Sequence, residues 1–448
     1  MKHALNGDRP TALVLLGNFE VEEQWARDEA GLPRITTSAN TALVNRMDEF
    51  ALLLGAADDH VLLKTAPDES YLRYLRGLGL ELPAIHVVRR QEPRNTVTED
   101  ALADDELLGV LADLGAEGAL LSPHGVSEAE ENLSVRAGIA LAAPSAALCK
   151  SVNSKIYSRR TADALGLRQP RGWECETPAE FDAAVVAATE LLDAGGAVLV
   201  KEAFGVSGKG ISEIESPERL RRLQRLVIKR AAAAGTDRVA FVIEERVSKR
   251  ADLNYQFTVS RDGEVHVDFI KEALTRSGVH MGHRFPPDLT PAQVDDIHAA
   301  AHLLGKQLSA DGYFGVAGVD AMIDPAGGVY PVVEINARNN MSTYQTRLQE
   351  QLMGEDQFAL ARHYTLPLEQ PLAFDDAGRL LADVLLTAPE GSGLVINNFA
   401  TVNASRDGDG PFQGRLYGLL IGDSLQELAA LDAAATDLLA RGLGRTIR

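Results

Sequence analysis

The stretch VLVKEAFGVSGKGISEI, residues 198–214, constrains this chain more than any other. VLVK is a short buried-strand run, glycines stand at 205, 208 and 210, and ISEI alternates apolar and polar residues as a second strand does. A Gly-Lys pair after glycines raises the Walker A loop, which needs four residues between its glycines and a Ser or Thr after the lysine. Here only Val206 and Ser207 separate Gly205 from Gly208, and Lys209 is followed by Gly210. Walker A also opens a helix, whereas a strand follows here. The unit is strand, glycine loop, strand. Glycines between two strands are tolerable where the loop must bend or approach a ligand closely, so the hairpin is expected to fold over phosphates as a flap.

The 448 residues suffice for about three domains. A hydrophobic fraction of 45% with 24% charged residues is that of an ordinary globular chain with ample core. The formal net charge of −20 excludes a nucleic-acid surface as the main function, because phosphate backbones need a basic face. An acidic field does favour a basic substrate. Two cysteines, Cys149 and Cys175, supply neither a disulfide framework nor a metal cluster and suit a reducing cytoplasm. MKHALNGDRP is too polar for a signal peptide, and no apolar run approaches the roughly 20 residues that cross a bilayer.

Along the chain, residues 1–147 read as an α/β unit, with buried-strand runs at 11–17, 60–64, 84–88 and 118–123. Gly17 and Asn18, after the first strand, read either as a tight turn or as part of a ligand-binding crevice. A second segment, 148–247, holds a helix capped at Asn153 or Ser154, a helix with Thr177 as cap and Pro178 at its first position, the glycine hairpin, a basic helix over 217–233 and a strand over 238–247. In the third, 248–370, strands at NYQFTVS and EVHVDFIKEA flank an Arg-Asp-Gly turn at 261–263. A capped helix over 290–308 and a long hairpin turning at 324–328 follow. Residues 371–448 add strands and a helix near 424–441.

Oxygen donors collect on the long hairpin. Glu334 and Asn336 are two apart and share a face of one strand, and pairing about the turn brings Asp320 of the other strand beside them. Among the apolar neighbours of GVDAMI and VVEINA, unpaired charge is costly, so the set reads as a site for a hard cation such as Mg²⁺. Lys201, ending VLVK, calls for a phosphate partner by the same reasoning. Glu244 and Glu245 end the strand FVIEE, where one can face inward and the other solvent.

A lysine strand, a glycine flap, a double glutamate and then Asp…Glu-x-Asn-x-Arg in a later hairpin resembles the ATP-grasp superfamily over residues 150–350. The resemblance implies α/β and α+β architecture: a pre-ATP-grasp α/β domain, two ATP-grasp lobes holding ATP between them, and a C-terminal extension. It further implies that Lys155 and Lys201 neutralise the α- and β-phosphates, that Gly205, Ser207, Gly208 and Gly210 form the flap, and that Glu244 lies on the adenine side. Glu245 and Val247 then flank the hinge. Asp252 stands one position beyond where the family's ribose carboxylate usually falls. Asp320, Glu334 and Asn336 correspond to the Mg²⁺ ligands. Arg338, acting with Lys201, corresponds to the arginine that stabilises the transferring phosphoryl group or acyl intermediate.

The implied chemistry is attack of a substrate carboxylate on the γ-phosphate of ATP, then displacement of phosphate from the acylphosphate by an amine. EINARNNMSTY and GLVINNFATVNA are similar to the pheganomycin-type peptide ligases, which join an amino acid to a peptide N-terminus. The alternatives are an amino-acid or dipeptide ligase, a carboxylase-like enzyme, and a non-catalytic ATP-binding module. The expected partners are an amino-acid or other carboxylate substrate and an amine or peptide acceptor, and a homodimer is compatible with the sequence. His280, His283 and Arg284, in TRSGVHMGHRFPPD (275–288), read as a structural loop, a substrate loop covering the site, or metal ligands.

Overall fold

In a computed structural model, all residues are described except Met1, 8–10, 28, 30, 33–37, 206–209, 234, 277–278 and 448, together with the side chains of 38–40, 276, 279 and 280. The first region is a parallel sheet of five strands, β1 (Leu13–Leu16), β2 (His60–Leu63), β3 (Ala84–Val87), β4 (Leu120–Pro123) and β5 (Ala140–Leu141), ordered β3-β2-β1-β4-β5. Four of these strands fall where the apolar runs predict them. The two-residue β5 is too short to leave a periodic signal. Because β2 and β4 lie on either side of β1, the switch point where an open α/β sheet forms its crevice is at the carboxyl end of β1.

A four-stranded sheet follows, from β6 (Gly172–Cys175), β7 (Val198–Glu202), β8 (Ile211–Ile214) and β9 (Phe241–Glu245), ordered β6-β9-β7-β8. β7 and β8 pair antiparallel from Val198↔Ile214 to Lys201↔Ile211, so the glycine stretch does join two strands of one hairpin. Two helices, Pro178–Asp193 and Pro217–Ala233, pack on this sheet around Phe181, Leu220, Val227 and Phe241. Thr177 forms the expected capping box with Glu180, and Pro178 opens the first helix.

The third sheet has eight strands: β10 (Ala251–Val259), β11 (Val265–Arg276), β12 (Val279–Phe285), β13 (Gly315–Ile323), β14 (Val329–Asn336), β15 (Phe358–Leu368), β16 (Gly393–Asn398) and β17 (Phe412–Gly422), ordered β14-β13-β10-β11-β12-β15-β17-β16. Along β10, Leu253, Tyr255, Phe257 and Val259 face the core under the helix Pro291–Ala310, while Asp252, Asn254, Gln256 and Thr258 line the opposite face. β15 and β17 pair over eleven positions, so the last segment continues this sheet. Its core also takes Phe50, Tyr71 and Leu75 from the first region.

The expectation of a loop over 275–288 is corrected. Residues 279–285 are β12, paired with β11 on one side and β15 on the other. The strand has a sequence-distant partner in β15, which local reading could not supply. Gly282 has φ +150°, and a side chain there would run into the Ala361 carbonyl, so glycine lets the two backbones approach. The strand over 238–247 is also shorter than expected, ending at Glu245.

Candidate active site

Register across four strands builds the floor of the cleft. Asp320 on β13 stands directly opposite Glu334 on β14 and opposite Asn254 on β10, and Asn254 stands opposite Lys271 on β11. Residues so paired share a face. The Asp320 carboxylate accepts hydrogen bonds from the Asn254 amide at 3.0 Å and the Asn336 amide at 3.4 Å. Burial, and then the Glu334 charge, push the Asp320 carboxyl up to about 6. Opposed carboxylates repel unless a cation intervenes, and the Asn254 amide oxygen is buried with no hydrogen-bond partner. Two carboxylates, an open amide oxygen and the adjacent Asn336 are donor chemistry that fits Mg²⁺ completed by phosphate oxygens. Among the described residues there is no group of three or more His, Cys, Asp or Glu side chains suited to a metal.

Two lysines enter from above. Lys155 opens the helix Lys155–Ala164, whose N-cap Ser154 side chain accepts from the Ile156 amide. Its ammonium donates to Glu334 at 2.5 Å and to the Gly205 carbonyl at 3.1 Å. Lys201 on β7 pairs with Glu244 on β9, and Arg159 approaches the same carboxylate at 3.9 Å. Both lysines are about 5% exposed, so each needs its counter-charge. At the end of the hairpin loop Gly210 has φ +88°, and a side chain there would meet Glu202. Ser207 and Gly208, expected in the flap, lie outside the described residues.

Arg338 closes the far end. Its guanidinium pairs with Glu22, from the segment after β1, and donates to the Asn336 side-chain oxygen at 2.9 Å and the Asn339 carbonyl at 2.9 Å. Burial lowers its ordinary value to about 10. The β1 and β4 ends are tied together beneath it: the Asn18 side chain accepts from the His124 amide at 2.9 Å and donates to the Gly125 carbonyl at 2.8 Å. Asn18 is therefore a structural clamp at the switch point. His124 stacks on Phe19 at 4.3 Å, bonds the Tyr344 hydroxyl at 2.8 Å, and is driven down to about 3 by burial, hence neutral.

The loop after Arg338 rests on buried polar groups. Thr343 donates to Gln256 at 2.5 Å, and the Asn340 side chain accepts from the Ser342 amide at 2.8 Å. Below them the wholly buried Lys271 ammonium donates to the Ser342 carbonyl and the Gln345 side chain, both at 3.2 Å. Neither acceptor is charged, and burial pulls Lys271 down to about 7.

The structure thus brings Lys155, Lys201, Glu244, Asp320, Glu334, Asn336 and Arg338 to one cleft. Glu245 follows at the end of β9 and Val247 lies just beyond it. Asp252 shares the polar face of β10 but is held by Lys249 at 2.6 Å and by the Thr275 hydroxyl at 2.9 Å. His283 is buried in β12, and Arg284 pairs with Glu272, so these two belong to a strand rather than a covering loop. The backbone of His280 pairs with Thr275, and its side chain lies outside the described residues. Sequence reading missed Asn254, Lys271 and Glu22. The first was within reach, since alternation along ADLNYQFTVS already sets Asn254 and Gln256 on one face. Glu22 had no local signal.

Comparison with known proteins agrees with this layout. The Pre ATP-grasp domain family matches residues 47–139, and the carbamoyl-phosphate synthase L chain ATP-binding domain matches residues 154–356. The [butirosin acyl-carrier protein]–L-glutamate ligase of Niallia circulans is 26% identical over 390 residues, covering 86% of this chain and 85% of its own. Among solved structures, N5-carboxyaminoimidazole synthase from Aspergillus clavatus, bound to ADP and its ribonucleotide, covers 96% of this chain and 99% of its own with TM-score 0.52 at 13% identity. Biotin carboxylase from Campylobacter jejuni covers 91% of this chain and 92% of its own with TM-score 0.55 at 14% identity. At those identities the two structures speak for the fold. With the two matched domains in tandem and a ligase as relative across most of its length, the chain belongs to the ATP-grasp superfamily of carboxylate–amine ligases, enzymes that form carbon–nitrogen bonds.

Proposed function

We propose that this ligase activates an amino-acid carboxylate with ATP and transfers the acyl group to an amine, forming a peptide-type amide with release of ADP and phosphate. The observation that carries the reading is the Asp320–Glu334 pair on the floor, facing Lys155 and flanked by Arg338. Nucleotide phosphates would compete with Glu334 and Glu244 for Lys155 and Lys201, exchanging internal ion pairs for ligand contacts. Asp320, Glu334 and the amides of Asn336 and Asn254 would hold Mg²⁺, which, when bound, offsets charge on the phosphate oxygens. The flap hairpin would cover the phosphates from β7 and β8 and exclude water from a water-labile acylphosphate. Glu22 and Asn336 hold Arg338 beside the reacting centre, where its charge stabilises the group in transfer. The relative's name pairs L-glutamate with an acyl-carrier protein, which supports an amino-acid carboxylate, not bicarbonate, as the group that is activated.

The test is a screen for phosphate release with amino acids as carboxylate donors and amines or short peptides as acceptors, with mass spectrometry of the product. ADP should form only with both partners present, and the product should be their amide. Arg338→Ala should depress kcat by about 10²- to 10³-fold with little change in ATP affinity, because its charge acts where new charge develops. ADP formed with bicarbonate alone would select the carboxylase-like alternative. Tight ATP binding without turnover would select the non-catalytic module.

A further inference from the structure

The helix Pro217–Ala233 has no part in the cleft chemistry, yet it is chemically the least typical element of the molecule. It carries Arg219, Arg221, Arg222, Arg225, Lys229 and Arg230 against the single acid Glu218, in a chain of net charge −20. Leu220, Val227 and Ala231 bury one side of the helix, and at 100° per residue Arg219, Arg221, Arg222, Arg225 and Lys229 fall on the side turned away from it, with Arg230 at its edge. All six are exposed, and none forms an ion pair among the described residues. Leu226 is exposed in their midst at 37%. Like charges three and four residues apart on a helix repel, so this face is no stability device.

We propose that this face docks an acidic protein that presents the acceptor amine. The proposal rests on the ligase reading above, and charge complementarity selects the partner. The Debye length is about 8 Å at physiological salt, so a partner on this helix experiences the local cations and not the distant acidic surface. The helix is about 25 Å long and is bounded by Glu213 and Glu215 before it and Asp182 on the neighbouring helix. A nucleic-acid backbone running past those acids would be repelled, whereas a bounded acidic patch on a protein would fit between them, with Leu226 as an apolar anchor. The position suits delivery to the cleft. The helix begins three residues after the flap strand β8. Its Arg230 donates to the Gly31 carbonyl at 2.8 Å and lines a cavity of about 250 Å³ shared with Phe204 and Glu202 at the root of the flap.

The experiment measures binding of fluorescent poly-L-glutamate to the full chain at low and physiological salt. The comparison protein carries Arg221→Glu, Arg225→Glu and Lys229→Glu together. The wild type should bind, release the probe as salt rises, and lose about tenfold or more of its affinity on charge reversal. ADP formation with free substrates should be equal in the two proteins, because none of the three residues touches the cleft. No binding at low salt, equal binding by the variant, or tighter binding to duplex DNA or to phosphatidylserine vesicles would each overturn the proposal. Absence of ADP from both proteins would count against the ligase reading alone, leaving the docking face to be judged by the binding result.

Discussion

The cleft has a floor and a roof that hold charge in different ways. On the floor, Asp320, Asn254, Lys271 and Gln256 project from adjacent strands of one eight-stranded sheet, whose other face is packed with Tyr255, Phe257 and Val319. Each polar group is fixed by cross-strand register, so none can move without the sheet. The roof is a four-stranded sheet whose hairpin strand β8 is mostly exposed, with only Ile214 buried. The Lys201–Glu244 pair ties β7 to its neighbour β9, while β8, at the sheet edge, pairs with β7 alone. A rigid floor suits groups that must be preorganised toward developing charge. A hairpin at a sheet edge suits a cover that has to open and close.

The comparison breaks most sharply at Glu334. Glu334→Gln keeps an oxygen for the Lys155 ammonium, so the buried lysine retains a hydrogen bond and the fold should survive. It removes one of the two opposed carboxylates. Mg²⁺-dependent turnover of ATP should fall on the order of 10³-fold, while thermal unfolding moves by only a few degrees. Turnover within tenfold of wild type would show that the floor does not carry the metal.

How much of this could be read from sequence follows the same division. The roof is local: lysine strand, glycine loop and returning strand lie within residues 198–214, and their order alone predicts the hairpin that β7 and β8 form. On the floor, the hairpin bearing Asp320 and Glu334 is also local, so its turn at Asp324–Gly328 fixes the pairing. Lys271 comes from a strand some fifty residues earlier in the chain, and its meaning depends on a register no window of sequence contains. Residues 279–285 read as a loop in sequence because one of the two strands that β12 pairs with, β15, is distant in the chain. The Glu22–Arg338 pair joins two domains and depends on how the β1 switch point docks.

Lys271 offers a second, smaller break. An unfolded chain keeps this lysine protonated to about 10.5, whereas the folded site releases the proton near 7. Between those values the folded state binds fewer protons, so this group makes stability rise with pH by up to about 1.4 kcal/mol per unit. In Lys271→Met that component vanishes. Chemical denaturation of both proteins at pH 7, 8 and 9 isolates it, since every other titrating group cancels in the difference. The wild type should gain on the variant at each step. Parallel curves would mean that the ammonium stays charged and that the floor is more polar than its burial implies.

The smallest effect belongs to the roof. Gly210 has φ +88°, a conformation that costs an L residue about 1–2 kcal/mol, and a methyl group there would press on the Glu202 carboxylate, which accepts from the Leu32 amide. Gly210→Ala should therefore disturb the base of the hairpin without touching Asp320, Glu334 or Arg338. If the roof is only a cover, the strain should appear as a KM for ATP raised several-fold, with kcat within about threefold of wild type, because chemistry on the floor proceeds once the nucleotide is enclosed. If kcat instead falls with KM unchanged, the hairpin takes part in the transition state itself. The contrast between a preorganised floor and a passive roof would then have to be given up.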